Sequence, residues 1–157
     1  MEGKGNKRRR AGGTAVVEVS LLMPWIVFLF VGIFDFGFFA YAFISTENAA
    51  RAATVYLSTS YSLAKAESES LAPPTLPGAC QVALGELRRL PNVGTAVTDC
   101  GSLPVRVTVD PPVFYPADKS RSTRVTVTYQ TVQLFPLPFM AGRMTINRSA
   151  EMRIFGR

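Results

Sequence analysis

The sequence contains no histidine and only two cysteines, and those absences exclude several kinds of chemistry at once. Without histidine there is no Ser-His-Asp or Cys-His pairing, so a hydrolase would have to rely on Ser-Lys or on paired carboxylates. Two cysteines without histidine do not complete the ligand set of a structural zinc site. The acids of the C-terminal half, Glu86, Asp99, Asp110, Asp118 and Glu151, are scattered singly and read as solvated surface charges. A Gly-rich phosphate loop is also missing, since Gly12-Gly13 precedes an apolar run instead of following a strand. The composition therefore points away from an enzyme, with no catalytic residue, no cofactor and no metal implied.

Charge is just as sparse along the first third. From Thr14 to Ile44 the only charged side chains are Glu18 and Asp35. A helix over that span is about 46 Å long at ~1.5 Å per residue, whereas a bilayer core needs only about 20 residues. The helix is thus expected to cross a membrane, emerge on the far side and continue. A secretory signal peptide would have a shorter apolar region followed by small residues for cleavage; here the small residues come first.

The net charge of +6 is concentrated at one end. Lys4, Lys7, Arg8, Arg9 and Arg10 against Glu2 place +4 of it in residues 1–13. Beside a membrane helix this is the positive-inside pattern, which keeps the amino terminus in the cytoplasm and sends the remainder across as a single-pass protein. Nucleic acid is not the implied partner; the lipid bilayer is. An ionised acid at the bilayer centre costs about 2.5–3.5 kcal/mol. Glu18, nearer the interface, costs less but still asks for a partner. Pro24 deletes a backbone hydrogen bond and predicts a kink or loosened turn. Asp35 reads either as an interfacial acid reaching water or as a contact to another subunit, and Gly32, Gly37 and Ala40 around it would let a second helix approach closely.

Residues 45–60 read as the same helix turned amphipathic, with Ala49, Ala52, Ala53, Tyr56 and Leu57 on one face and Glu47, Asn48 and Arg51 interleaved. Residues 61–78, with Glu67 to Ser70 and Pro73, Pro74 and Pro77, read as a loop. Ala79, Ala83, Leu87 and Leu90, assisted by Val82 and Leu84, make the stripe of a short second helix ended by Pro91-Asn92. The period then falls to two. Val105, Val107 and Val109 predict one strand, and Val125, Val127 and Tyr129 a second. A third strand over 144–155 has Met144, Ile146, Ala150, Met152 and Ile154 on one face, with Arg148 interrupting. The prolines Pro111-Pro112, Pro116, Pro136 and Pro138 are assigned to connectors, which makes a small antiparallel sheet of three or four strands. The predicted fold is α+β: a long transmembrane helix (14–44) behind a basic leader (1–13), its extramembrane continuation, and an extracytoplasmic domain over 79–157 packed on 45–60.

Cys80 and Cys100 have two readings. If the domain lies outside the cytoplasm an oxidising compartment favours a bridge between them, which would contribute about 3 kcal/mol in the chain-entropy model. If it faces inward they are reduced thiols. The segment Phe135–Gly142 is either an apolar docking patch or a loop folded over its own sheet.

Gly13-Thr-Ala-Val-Val-Glu18 resembles the prepilin-peptidase recognition sequence of the tight-adherence (Tad, or Flp) pilus system, where glutamate stands fifth after a glycine. Phe34-Asp35-Phe36-Gly37 followed by Glu47-Asn48-Ala49-Ala50-Arg51-Ala52-Ala53 is similar to the TadE-like pseudopilin family. So is the end of the chain, Leu134-Phe135-Pro136 and Ile146 to Arg153. Val19 stands where Tad pilins often carry tyrosine, and Asp35 where family members more often carry glutamate. The resemblance implies a minor pilin of the cytoplasmic (inner) membrane, cleaved between Gly13 and Thr14 by a prepilin peptidase. Glu18 and Asp35 would then act in recognition and assembly. Its implied partners are other pilins and pseudopilins and the membrane-embedded pilus assembly platform, with incorporation in a pilus as the further consequence. The alternatives are an uncleaved, signal-anchored binding or scaffold protein and a membrane-tethered enzyme.

Overall fold

The structure is a computed structural model that describes residues 11–67, 76–117, 120–133 and 142–154. Its elements are α1 (Ala11–Glu67), α2 (Leu76–Leu87), β1 (Val105–Tyr115), β2 (Ser120–Gln130) and β3 (Thr145–Ile154), an α+β arrangement. The chain divides into two compact units, residues 1–38 and 39–157.

In the first unit α1 holds an apolar run in which every side chain from Ala15 to Phe30 is exposed. The helix contains an 18-residue window of mean hydropathy 2.3, none of it buried, and is long and apolar enough to cross a membrane. Apolar surface left in water is unfavourable by roughly 25 cal/mol per Å², so such a helix calls for lipid or for other helices around it. Ser20 donates its hydroxyl to the carbonyl of Val16 at 2.8 Å and so satisfies itself within the helix. α1 continues through Pro24. Lacking an N–H, that proline leaves the Ser20 carbonyl without its helical partner.

In the second unit α1 packs through a face made of Ala42, Ser45, Thr46, Ala49, Ala50, Ala53, Thr54, Leu57 and Ser58, all buried. This face is rotated from the stripe expected from hydropathy: Tyr56 is exposed and Ala52 half-buried, while short hydroxyl residues take their places. The reason is that these hydroxyls need no outside partner. Thr46 donates to the Ala42 carbonyl at 2.7 Å, Thr54 to Ala50 at 2.7 Å and Ser58 to Val55 at 3.0 Å. Being small, they also allow a close approach to β3. Thr54 Oγ1 lies 3.3 Å from the Ala150 carbonyl oxygen and Ser58 Oγ 3.2 Å from Met152 Sδ.

The sheet is an antiparallel meander in the order β1-β2-β3. Val105 pairs with Tyr129 and Val107 with Val127, and across the next ladder Tyr129 pairs with Ile146 and Val125 with Ala150. These alternate positions form the buried face, while Thr108, Arg124 and Ser149 stand among the solvent-facing side chains. Arg148 falls on the inner face opposite Val127, which explains why it interrupts the apolar alternation. Its guanidinium lies 3.7 Å from the centroid of the Phe43 ring and its Nε 3.9 Å from Glu47 Oε2, so α1 supplies both an aromatic face and a counter-charge.

Two boundaries differ from expectation. Pro111 and Pro112 lie inside β1, not in a connector. The register shifts between Asp110 and Val113, and β1 is an edge strand, where a missing N–H costs no ladder bond on the solvent side. The loop expected over 61–78 is narrowed from both ends. Ser62 to Glu67 contain no proline or glycine and α1 runs through them, while Pro77 sits in the first turn of α2, where its absent N–H has no partner to lose. Residues 68–75 and the Phe135–Ala141 part of the apolar segment lie outside the described residues.

α2 buries Ala79, Cys80, Ala83, Leu84 and Leu87, with Leu90 and Val93 following in turns. Cys80 and Cys100 form a disulfide, Cα to Cα 5.8 Å, that ties α2 to the approach of β1. The Cys100 carbonyl in turn accepts the Val107 N–H at 3.0 Å. Where α2 starts, Gly78 lies so near Tyr56 that a Cβ there would be 2.7 Å from the ring.

Candidate functional site

The sequence nominates the amino-terminal helix, and its geometry can be built from the spacing of four residues. The Gly13–Thr14 peptide bond lies within the first turn of α1. Glu18 follows one turn later, exposed, and has no hydrogen-bond or ionic partner among the described residues. Asp35 is half-buried and likewise without a hydrogen-bond or ionic partner among the described residues. Seventeen residues separate the two acids, which is about 25 Å along a helix and roughly 100° around it. They therefore do not form a pair, and each presents its own charge on an apolar surface. Large exposed side chains surround them: Leu21, Leu22 and Trp25 beyond Glu18, and Phe34 and Phe36 beside Asp35.

An exposed apolar helix surface of this kind is suited to packing against other apolar helices or lipid. No group of three or more His, Cys, Asp and Glu side chains converges among the described residues.

Beyond the apolar run, the Glu47 to Ala53 motif has a structural division of labour. Ala49, Ala50 and Ala53 are buried, while Asn48 and Arg51 are exposed. The Arg51 guanidinium pairs with Glu47 at 3.0 Å. Glu47 thus meets Arg51 along its own helix and Arg148 from β3.

Two polar arrangements escaped the sequence reading. Glu151, expected as a solvated charge, accepts hydrogen bonds from Ser122 at 2.6 Å, Tyr115 at 3.1 Å and Arg124 at 2.7 Å. These donors, with Ser122 first, hold its carboxyl down to about 2. The second is Tyr129, wholly buried, whose hydroxyl donates to Asn92 Oδ1 at 2.6 Å while Asn92 Nδ2 donates to the Gln130 carbonyl at 2.7 Å. Burial pushes the Tyr129 phenol up to about 12. No local signal announces either one, because the partners come from separate elements. Both are structural: the first joins the tail of β1 to β3, the second the turn after α2 to β2.

Comparison with known families gives a match to the model described as TadE-like protein over residues 13–54. The matched segment starts at the glycine of the candidate cleavage site, contains Glu18 and Asp35, and ends at Thr54 on the packed face of α1. It coincides with the family whose motifs the amino-terminal helix resembles. No curated protein and no solved structure matches the chain.

Proposed function

We propose that this chain is a minor pilin, or pseudopilin, of a Tad (Flp) type IV pilus: a membrane-anchored subunit that contributes to pilus assembly by packing and performs no chemistry. The TadE-like match over 13–54 supports a pilus-associated role at the level of the family. The observation that carries the finer reading is Glu18, an acid on the exposed apolar stretch of α1 with no partner among the described residues. An unpaired carboxylate in a bilayer is costly. Cleavage by a prepilin peptidase after Gly13 would place a free amine on Thr14, one turn from Glu18, and the amine of a neighbouring subunit would then neutralise that carboxylate. Helices assembled in this way are staggered. On this reading the amino terminus is cytoplasmic, the α+β domain lies across the inner membrane in the compartment where Cys80 and Cys100 oxidise, and the partners are other pilins and the membrane-embedded assembly platform.

The test is the amino-terminal residue and intact mass of the protein taken from membranes with and without the peptidase. A chain starting at Thr14 only in its presence supports the proposal. An uncleaved chain beside an active peptidase favours a signal-anchored binding or scaffold protein. Glu18→Gln should insert normally and assemble poorly, and normal pili from that variant would refute the pairing.

A further inference from the structure

The topology of the second unit gathers apolar side chains from three distant parts of the chain at one end of the domain. Contacts along α1 and β3 run in step: Phe43 and Glu47 meet Arg148, Thr54 meets Ala150 and Ser58 meets Met152. The start of β3 therefore lies beside the part of α1 that enters the domain. The same end of the sheet carries the start of β1. The Pro104 carbonyl accepts the Gln130 N–H at 2.9 Å, and the Thr131 N–H reaches the Met144 carbonyl at 2.8 Å. Tyr41 and Ile44 on α1, Leu103 before β1 and Met144 before β3 are all 43–58 % or so exposed at this end (45, 58, 47 and 43 %), joined by Phe43 at 37 %. Arg143, also exposed, stands next to Met144. Farther along α1 the character changes, with the Glu47, Arg51 and Arg148 charges.

From this arrangement we infer that the α1-entry end of the domain seats on the bilayer surface. Tyr41, Phe43, Ile44, Leu103 and Met144 enter the headgroup region, and Arg143 meets lipid phosphate. Chain continuity selects this occupant. Residue 39 follows directly on the apolar run of α1, so this end of the domain cannot be far from the membrane that holds that run. The inference rests on the membrane-spanning reading of α1 and goes beyond it, because a single helix would anchor the domain without fixing its orientation. Three points of contact fix it. Interfacial apolar groups penetrate about 5–10 Å, and aromatic and basic side chains are favoured at that depth.

The experiment uses the full chain in phosphatidylcholine vesicles containing phosphatidylglycerol and lipids brominated near the carbonyl end of the acyl chain or near its terminus. Trp25 is the only tryptophan, so the parent reports insertion of α1. In a Trp25→Phe background, Leu103→Trp and Met144→Trp report the seat. Phe114→Trp, at the opposite end of the sheet where Phe114 pairs with Arg121, is the reference. The expected result is quenching at both 103 and 144 by bromine near the carbonyl at least about twofold above that at 114, as befits an interfacial depth. Quenching at 103 and 144 no stronger than at 114, or at only one of the two, while Trp25 of the parent is quenched, overturns the seat and leaves the spanning helix intact. Absence of quenching at Trp25 itself overturns the membrane reading and the seat with it.

Discussion

Tyr129→Phe is the perturbation whose consequence follows most directly from the geometry. It deletes one oxygen from a wholly buried side chain and leaves Asn92 Oδ1 without the donor it had at 2.6 Å. Asn92 is half-buried and still held through its Nδ2 to the Gln130 carbonyl, so the amide cannot turn toward water without losing a second bond. Orphaning such an acceptor costs about 1–3 kcal/mol, and the easier burial of Phe returns part of it, so a net loss of about 1–2 kcal/mol is expected at neutral pH. In a small domain that is a fall in melting temperature of about 4 °C for each kcal/mol. Differential scanning calorimetry of the full chain in detergent micelles reads it. The pH dependence gives an independent check. The folded-state phenol is raised from 10.0 to about 12, so the unfolded chain releases this proton first as pH rises. The wild-type protein then loses stability between about pH 10 and 12, by at most about 1.4 kcal/mol per pH unit, whereas the Phe variant has no such group. The gap between the two should narrow across that window. A variant as stable as wild type at neutral pH, or a gap that stays constant from pH 9 to about 12, would refute the reasoning.

Three further outcomes are expected. Ala53→Leu puts a larger side chain at a position of α1 with no exposed surface, and overpacking of this kind costs about 1–3 kcal/mol, visible in the same melting assay. Glu151→Gln removes a carboxylate whose folded-state pKa is depressed from 4.5 to about 2. Its contribution is complete above about pH 4.5 and is lost as pH falls through about 2, so wild type and variant should differ at pH 6 and converge in strong acid. Replacing Cys80 and Cys100 together by Ala opens a loop of 20 residues and should cost about 3 kcal/mol in the chain-entropy model. An unchanged midpoint under non-reducing conditions would show that the bridge does not contribute.

The amino-terminal helix was legible because every signal there is local. A charged side chain in an apolar run, a glycine five residues before a glutamate and a basic cluster ahead of both can be read without knowing what lies elsewhere. The strands were legible for the same reason, since Val105-Val107-Val109 and Val125-Val127-Tyr129 carry their period in a few residues. Rules about single residues misled where context overruled them. Pro111-Pro112 suggested a connector, but the irregular edge of a sheet accommodates them, and Pro77 suggested a loop, but the first turn of a helix accepts it.

The sequence alone thus determined the membrane-length helix, the family-like motif at its start and the α+β order of elements, because hydropathy and chain spacing are properties of neighbours. Only the tertiary structure decided which face of α1 is buried, why Arg148 can occupy an inner strand position, and that Glu151 and Tyr129 are held by residues 29 and 37 positions away. Those outcomes depend on hydrogen bonds and close packing between elements far apart in the chain, and such contacts exist only once the elements have been brought together.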